Sequence, residues 1–247
     1  MAAKRGIFVA PFDELYEPRL LAELAAQAEG KGWDGFFLWD HIKYREPVRA
    51  VADPWVALSA IAYATERIRI GPLVTPLSRR RVQKLARETV TLDHLSGGRL
   101  VLGVGLGSDH SGELADFGEV TDPRERAQLL DEGLQDLAAF WSGGFEPPPL
   151  QQPRIPVWVA GRWPKRKPLR RAARWDGFFP IELEEPDQLA QLVKELYELR
   201  GGRCEVIVEN PPGTDPAPWE AAGATWCLTS FQRTPREADV RAAIAAG

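Results

Sequence analysis

Gly35-Phe36-Phe37-Leu38-Trp39-Asp40-His41, followed after a loop by Asp53-Pro54-Trp55-Val56-Ala57-Leu58, decides the fold. The first run is short and apolar without alternation, the pattern of a parallel strand covered on both faces. In the second, Asp53 suits a helix N-cap and Pro54 the first helical position. Strand, loop and capped helix make one β/α unit.

The same rhythm runs outward in both directions. Further strand-like runs lie at 6–10, 67–74, 99–104, 155–160, 177–180, 204–208 and 224–228. Between them fall helical stripes: Leu20, Leu21, Leu24, Ala25 and Ala28, then Val56, Ala57, Ala60, Ile61 and Ala64. Val82, Leu85, Ala86 and Val90 follow, with Ser78 as a candidate cap, and Asp122-Pro123-Arg124-Glu125 has the form of a capping box. Leu189, Leu192, Val193, Leu196 and Leu199 form a later stripe, a short helix is expected near Pro216 to Ala222, and the last starts near Pro235. Eight strands alternating with eight helices suit an open doubly wound sheet or a closed barrel. The 247 residues match the ~250 of a (β/α)8 TIM barrel and favour it, as a single domain over residues 1–247.

Composition narrows the function. A net charge of −4 argues against a nucleic-acid partner. Two cysteines, Cys204 and Cys227, make no disulfide framework and no cysteine zinc cluster, and no metal is expected. The N-terminal apolar run is too short for a signal peptide, and no stretch reaches the ~18–20 apolar residues of a membrane span. A cytoplasmic protein acting on a small-molecule substrate is expected. H-E-x-x-H, P-loop, G-x-S-x-G and C-x-x-C motifs are absent.

A barrel places chemistry at the C-terminal strand ends. Asp40-His41 falls there, where an imidazole could exchange protons or hydrogen-bond a cofactor; a capping Asp beside a structural His is the other reading. His110 falls at the same face, while His94 reads as structural. Gly103-Val104-Gly105-Leu106-Gly107 departs from the dinucleotide fingerprint at Ser108, and reads either as room for a flat ligand or as a bulged strand end. Gly161-Arg162-Trp163-Pro164 could offer free N–H groups to a phosphate, helped by Lys165, whereas most of the basic residues from Arg166 to Arg174 read as a solvated helix face. Arg79, Arg80 and Arg81 sit near a helix start, where the dipole disfavours cations, so an anion or acidic neighbour is expected there.

These segments together resemble the luciferase-like flavin- or deazaflavin-dependent oxidoreductases. The resemblance is carried by 32–41, 53–58, Thr65 to Pro76, Thr91 to Gly107, Val157 to Gly161 and Ala172 to Gly177, and covers most of residues 6–180. It implies a TIM barrel with FMN or coenzyme F420 across its mouth, and hydride transfer or monooxygenation. It casts Asp40 and His41 as catalytic, with Asp40 also at the ring. It implies a non-proline cis peptide at Leu73-Val74, a ring site of Leu73, Val74, Thr75, Gly105, Gly107 and Ser108, and a phosphate loop at Gly161, Arg162 and Trp163. Asp40-His41 and the excess of arginine over lysine lean toward F420, and the general family pattern toward FMN. Some F420 dehydrogenases carry a glutamate directly after these glycines, where this chain has Ser108. A homodimer is expected, as dimers are common in the family, and the short chain leaves room for a partner to complete the pocket. Loops 106–122 and 143–154 would select the substrate. Two other readings stand beside this one: a non-redox isomerase or lyase using Asp40, His41 and Glu209 as acid–base groups, and a flavin-binding protein without turnover.

Overall fold

The computed structural model describes residues 2–247. Its strands are β1 (Lys4–Val9), β2 (Gly35–Leu38), β3 (Arg69–Pro72), β4 (Thr75–Pro76), β5 (Leu102–Gly105), β6 (Val157–Arg162), β7 (Gly177–Ile181), β8 (Glu205–Asn210) and β9 (Trp226–Ser230). The helices are α1 (Pro18–Gly30), α2 (Pro54–Ala64), α3 (Val82–Leu95), α4 (Pro123–Ala139), α5 (Arg166–Ala172), α6 (Pro186–Arg200), α7 (Ala217–Ala221) and α8 (Glu237–Ala246). All strand pairs are parallel, in the order β3-β2-β1-β9-β8-β7-β6-β5-β4. The ends meet, because β3 and β4 are consecutive pieces of one barrel strand and Ile70 bridges to Leu100 beside β5. The expected (β/α)8 barrel is the observed fold.

Alternation along each strand sorts the core into two layers. One face of every strand packs against the helices, as Ile7, Phe36, Val159 and Val208 do. The other fills the barrel with Phe8, Phe37, Trp158, Phe179, Trp226 and Leu228. Phe37 and Trp226 meet edge to face at 5.7 Å, a geometry that suits the aromatic quadrupole.

The helices follow their signals, with three departures. Asp53 caps α2 and Asp122 caps α4, each accepting two backbone N–H bonds. A reciprocal capping box forms on α6, between Glu185 and Gln188, where none was expected. Ser78 does not cap α3; it lies in a separate 3₁₀ turn, Leu77–Arg79, and the residue before α3 is Arg81. The stripe read for α2 is rotated: Val56 is 62% exposed, while Trp55, Leu58 and Ala62 are buried. α2 is apolar nearly all round, so periodicity could not choose its inward face.

Arg99 ties three elements together from a buried position. Its guanidinium donates to the Ala62 and Thr65 carbonyls at the end of α2 (2.9 and 2.8 Å), to the Thr65 hydroxyl (2.8 Å), and to the carbonyls of Ile68 (2.9 Å) and Ser96 (2.6 Å). It thus satisfies orphan carbonyls that helix ends leave open.

Candidate functional site

The third barrel strand changes partner partway up. Below, Leu73 donates its N–H to Leu38 of β2 (2.8 Å); above, Thr75 and Pro76 pair with Val104 and Gly105 of β5. The turnover is at Leu73-Val74, whose peptide is cis, as the resemblance implied. A side-chain bond takes over where the ladder between β2 and this strand stops: the Thr75 hydroxyl donates to Asp40 (2.7 Å).

Asp40 is buried and saturated. Besides Thr75 it accepts from the Trp55 indole (3.2 Å), from Arg79 (3.0 Å) and from Arg80 to both oxygens (2.8 and 2.9 Å). Burial pushes its carboxyl pKa up, but Arg80 and Arg79 outweigh that, and with the donated hydrogen bonds hold it below its ordinary value. The acidic neighbour expected for the arginine run is therefore Asp40, held by Arg79 and Arg80; Arg81 stays exposed. Asp40 is a fixed anion under the mouth with no lone pair left for a ligand.

His41 points elsewhere. Its Nδ1 lies 2.8 Å from Oε1 of Glu113, a carboxylate almost wholly buried. Arg79 reaches the other Glu113 oxygen at 3.7 Å. The imidazole sits in an aromatic collar of Phe12, Trp39 and Tyr44, yet its side chain is 21% exposed. Nε2 has no partner among the described residues. With Nδ1–H donated to Glu113, Nε2 carries a lone pair; with both nitrogens protonated it is a donor.

Glu113 is the residue that sequence reasoning missed. It lies on the loop after β5, which is tied to α4, to itself and to the segment after β2. Arg126 of α4 donates to the Leu106 and Gly107 carbonyls (both 3.0 Å), Asp109 accepts from the Leu114 and Ala115 N–H groups, and Lys43 pairs with Asp116. The signal available in the sequence was a glutamate five residues past Ser108. Ser108 itself is half-buried and accepts from the His110 N–H (3.3 Å); His110 is exposed.

The glycines have two kinds of neighbour. Gly105 faces the interior beside Val74 and Ala160: a Cβ there would come 3.0 Å from Val74 Cγ2 and 3.5 Å from Ala160 Cβ. These three small residues, on adjacent strands, form a shallow cradle above the aromatic barrel filling. Gly107 needs its φ of +70° and lies against Pro76. Gly161, by contrast, gives room to Pro168 of α5, 2.2 Å from where its Cβ would be, so packing accounts for it. Arg162 is 45% exposed and paired with Glu182 (2.9 Å), and Trp163 packs on the helix-side core. Of the downstream cluster, Arg166 pairs with Glu195, and Arg171 and Arg174 share Asp131. Leu73, Val74, Thr75, Gly105 and Gly107 come together with Asp40 and His41 around one side of the mouth; Gly161, Arg162 and Trp163 stand one strand further on. Among the described residues no three His, Cys, Asp or Glu side chains gather as a metal site.

The mouth fits a flat heterocycle on two counts. The Val74–Gly105–Ala160 cradle presents no large side chain, and the Trp39 indole N–H, on the same rim, is buried without a partner. An unmet buried donor is costly unless something accepts from it, and ring carbonyls of FMN or F420 are suitable acceptors.

A parallel barrel with a carboxylate-held histidine at its C-terminal mouth belongs with the (β/α)8 enzymes. Residues 7–207 match the luciferase-like monooxygenase family, and the chain belongs to it. It is 34% identical over 213 residues to an uncharacterised protein of Mycobacterium tuberculosis, covering 77% of this chain and 73% of that one. In structure it is similar to an F420-dependent secondary alcohol dehydrogenase (TM-score 0.78, 18% identity, 99% of this chain and 96% of that one). It is also similar to the FMN-bound oxygenating constituent of 3,6-diketocamphane monooxygenase of Pseudomonas putida (TM-score 0.71, 18% identity, 85% and 67%). The expected family of flavin- or deazaflavin-dependent oxidoreductases is borne out, and both cofactors occur among its neighbours.

Proposed function

We propose that the protein works as one barrel domain over residues 1–247 and transfers hydride between FMN or F420 and a small organic substrate, with His41 as the proton-handling residue. The observation that carries this is the 2.8 Å grip of Glu113 on His41 Nδ1, which leaves Nε2 without a protein partner among the described residues at the end of β2. The bound cofactor would supply the hydride chemistry. Val74 and Gly105 would lie under the ring, Leu73, Thr75 and Gly107 would shape that wall, and the Trp39 N–H would donate to it. His41 would take or give the proton at Nε2 that balances hydride movement at the substrate, and Glu113 would hold the tautomer and share the positive charge. Asp40 contributes to catalysis in this reading by fixing Arg79, and through it Glu113, instead of by touching the ring. Ser108, Gly161, Arg162 and Trp163 are the candidate contacts for the cofactor's side chain and phosphate; opening the Arg162–Glu182 pair would free the guanidinium for an anion.

The test is to titrate the purified protein with FMN and with F420 and follow cofactor fluorescence. Saturable binding of one supports the reading, and binding of neither at high concentration ends it.

The same reading includes a homodimer and a cytoplasmic setting. The outer face of α2 supports the first: Val56 and Tyr63 are 62% and 86% exposed on a helix apolar nearly all round, a pattern that calls for cover. The free thiols of Cys204 and Cys227 suit a reducing compartment. No described helix is long and apolar enough to cross a membrane.

A further inference from the structure

We infer that Glu209 faces the substrate, and that the cavity beside it takes a small organic molecule presenting a hydroxyl or an ammonium group and not a carboxylate. This rests on the oxidoreductase reading above, and names the substrate class of that site.

The placement follows from β8. Val206 and Val208 face the helices, and Ile207 faces the barrel interior. Alternation puts Glu209 on the interior side one layer above Ile207, level with interior Leu228 of β9. Ser230, level with Phe8 of β1, is on the same side, next to Glu209 at the strand ends. Both residues line a cavity of about 840 Å³ that runs from the ends of β8 and β9 along α8, with Pro211, Phe231, Asp239 and Ala243 on its walls. That volume is in the range of organic-ligand pockets, ~300–1,000 Å³.

The chemistry follows from comparing half-buried Glu209 with the buried acids. Asp40 is saturated by five donated bonds. Asp93 accepts from the Leu150 and Gln151 N–H groups and from the Gln151 amide. Glu113 holds His41. Glu209 has the Ser230 hydroxyl nearby and no charged partner among the described residues, and burial pushes its pKa up. A carboxyl in that state keeps acceptor capacity unused. The cavity lining brings no Lys, Arg or His, and its other acid, Asp239, is already paired with Arg236. A hydroxyl or ammonium would complete Glu209, and a carboxylate would be repelled by it.

A matched trio of probes separates these cases: cyclohexylamine, cyclohexanol and cyclohexanecarboxylate, titrated by ligand-observed NMR with and without cofactor. The protein is expected to bind the amine and the alcohol about tenfold more tightly than the carboxylate. Glu209→Gln should bring the three within about twofold, and Glu209→Asp should keep the order, while FMN and F420 affinities stay unchanged in both. The inference is overturned if the native protein binds neither amine nor alcohol, prefers the carboxylate, or keeps its ranking in Glu209→Gln. Loss of the oxidoreductase reading would register separately, as failure of the native protein to bind either cofactor.

Discussion

His41 Nδ1 and Glu113 Oε1 meet at 2.8 Å across 72 residues of chain, joining the end of β2 to the loop after β5. The pair fixes which imidazole nitrogen is available at the mouth. Glu113→Gln keeps the shape and removes the charge. We expect turnover to fall by about 10²-fold or more, within the range of general acid–base contributions. The His41 ring ¹⁵N shifts should change from one tautomer to a mixture, a change that a merely structural Glu113 would not produce.

Asp40→Asn would leave Arg79 and Arg80 buried without their shared anion. Breaking one partner of a buried ion pair costs about 3–5 kcal/mol, so a large drop in denaturation midpoint is expected. Because the folded-state pKa of Asp40 lies below its ordinary value, its contribution is present above the ordinary carboxylate range and is lost as pH falls through the folded value. Chemical denaturation of both proteins across acid pH reads this directly: the gap between them should narrow toward low pH.

Glu209 has the opposite sign. Its raised pKa means that its favourable contribution is present below the ordinary carboxylate range and disappears as pH rises through the folded value. Asn210, Ser230, Gln232, Thr234 and the Arg236-paired Asp239 of α8 are the polar and charged groups lining that cavity. Glu209→Gln should therefore stabilise the protein at about pH 7–8 and confer no gain near about pH 4, as measured by thermal melts at both.

Burial pushes the thiols of Cys204 and Cys227 up to about 11. At about pH 8 each would hold roughly two-hundredfold less thiolate than a free cysteine. Iodoacetamide should accordingly label the native protein very slowly, and the unfolded protein fast at both positions by mass spectrometry.

Val56→Glu with Tyr63→Glu should convert a dimer to a monomer in light scattering without lowering the melting midpoint by more than a few degrees, since neither side chain is in the core. An unchanged mass would remove α2 from the interface.

The barrel was legible because run length and apolarity are local properties of each strand, and Gly35 to Trp39 shows them as clearly as any. The arginines at 79 and 80 were legible for a different reason: cations near a helix start are out of place unless an anion answers them. The face of α2 was not, since Val56 and Leu58 are equally apolar and only the packed structure separates them. Glu113 was also hidden. Its role depends on a loop held by Arg126, Asp109 and Lys43, and no periodicity encodes contacts at that sequence separation.

Arg99 gathers its acceptors from the end of α2, the approach to β3 and the end of α3. Should any one of these peel away, a buried cation would lose part of its hydrogen bonding while the others still enclosed it. The three segments are therefore bound to open together, as one cooperative unit in the N-terminal half. Backbone amides in the last turns of α2 and α3 should share a single hydrogen-exchange free energy, and Arg99→Met should split it into two.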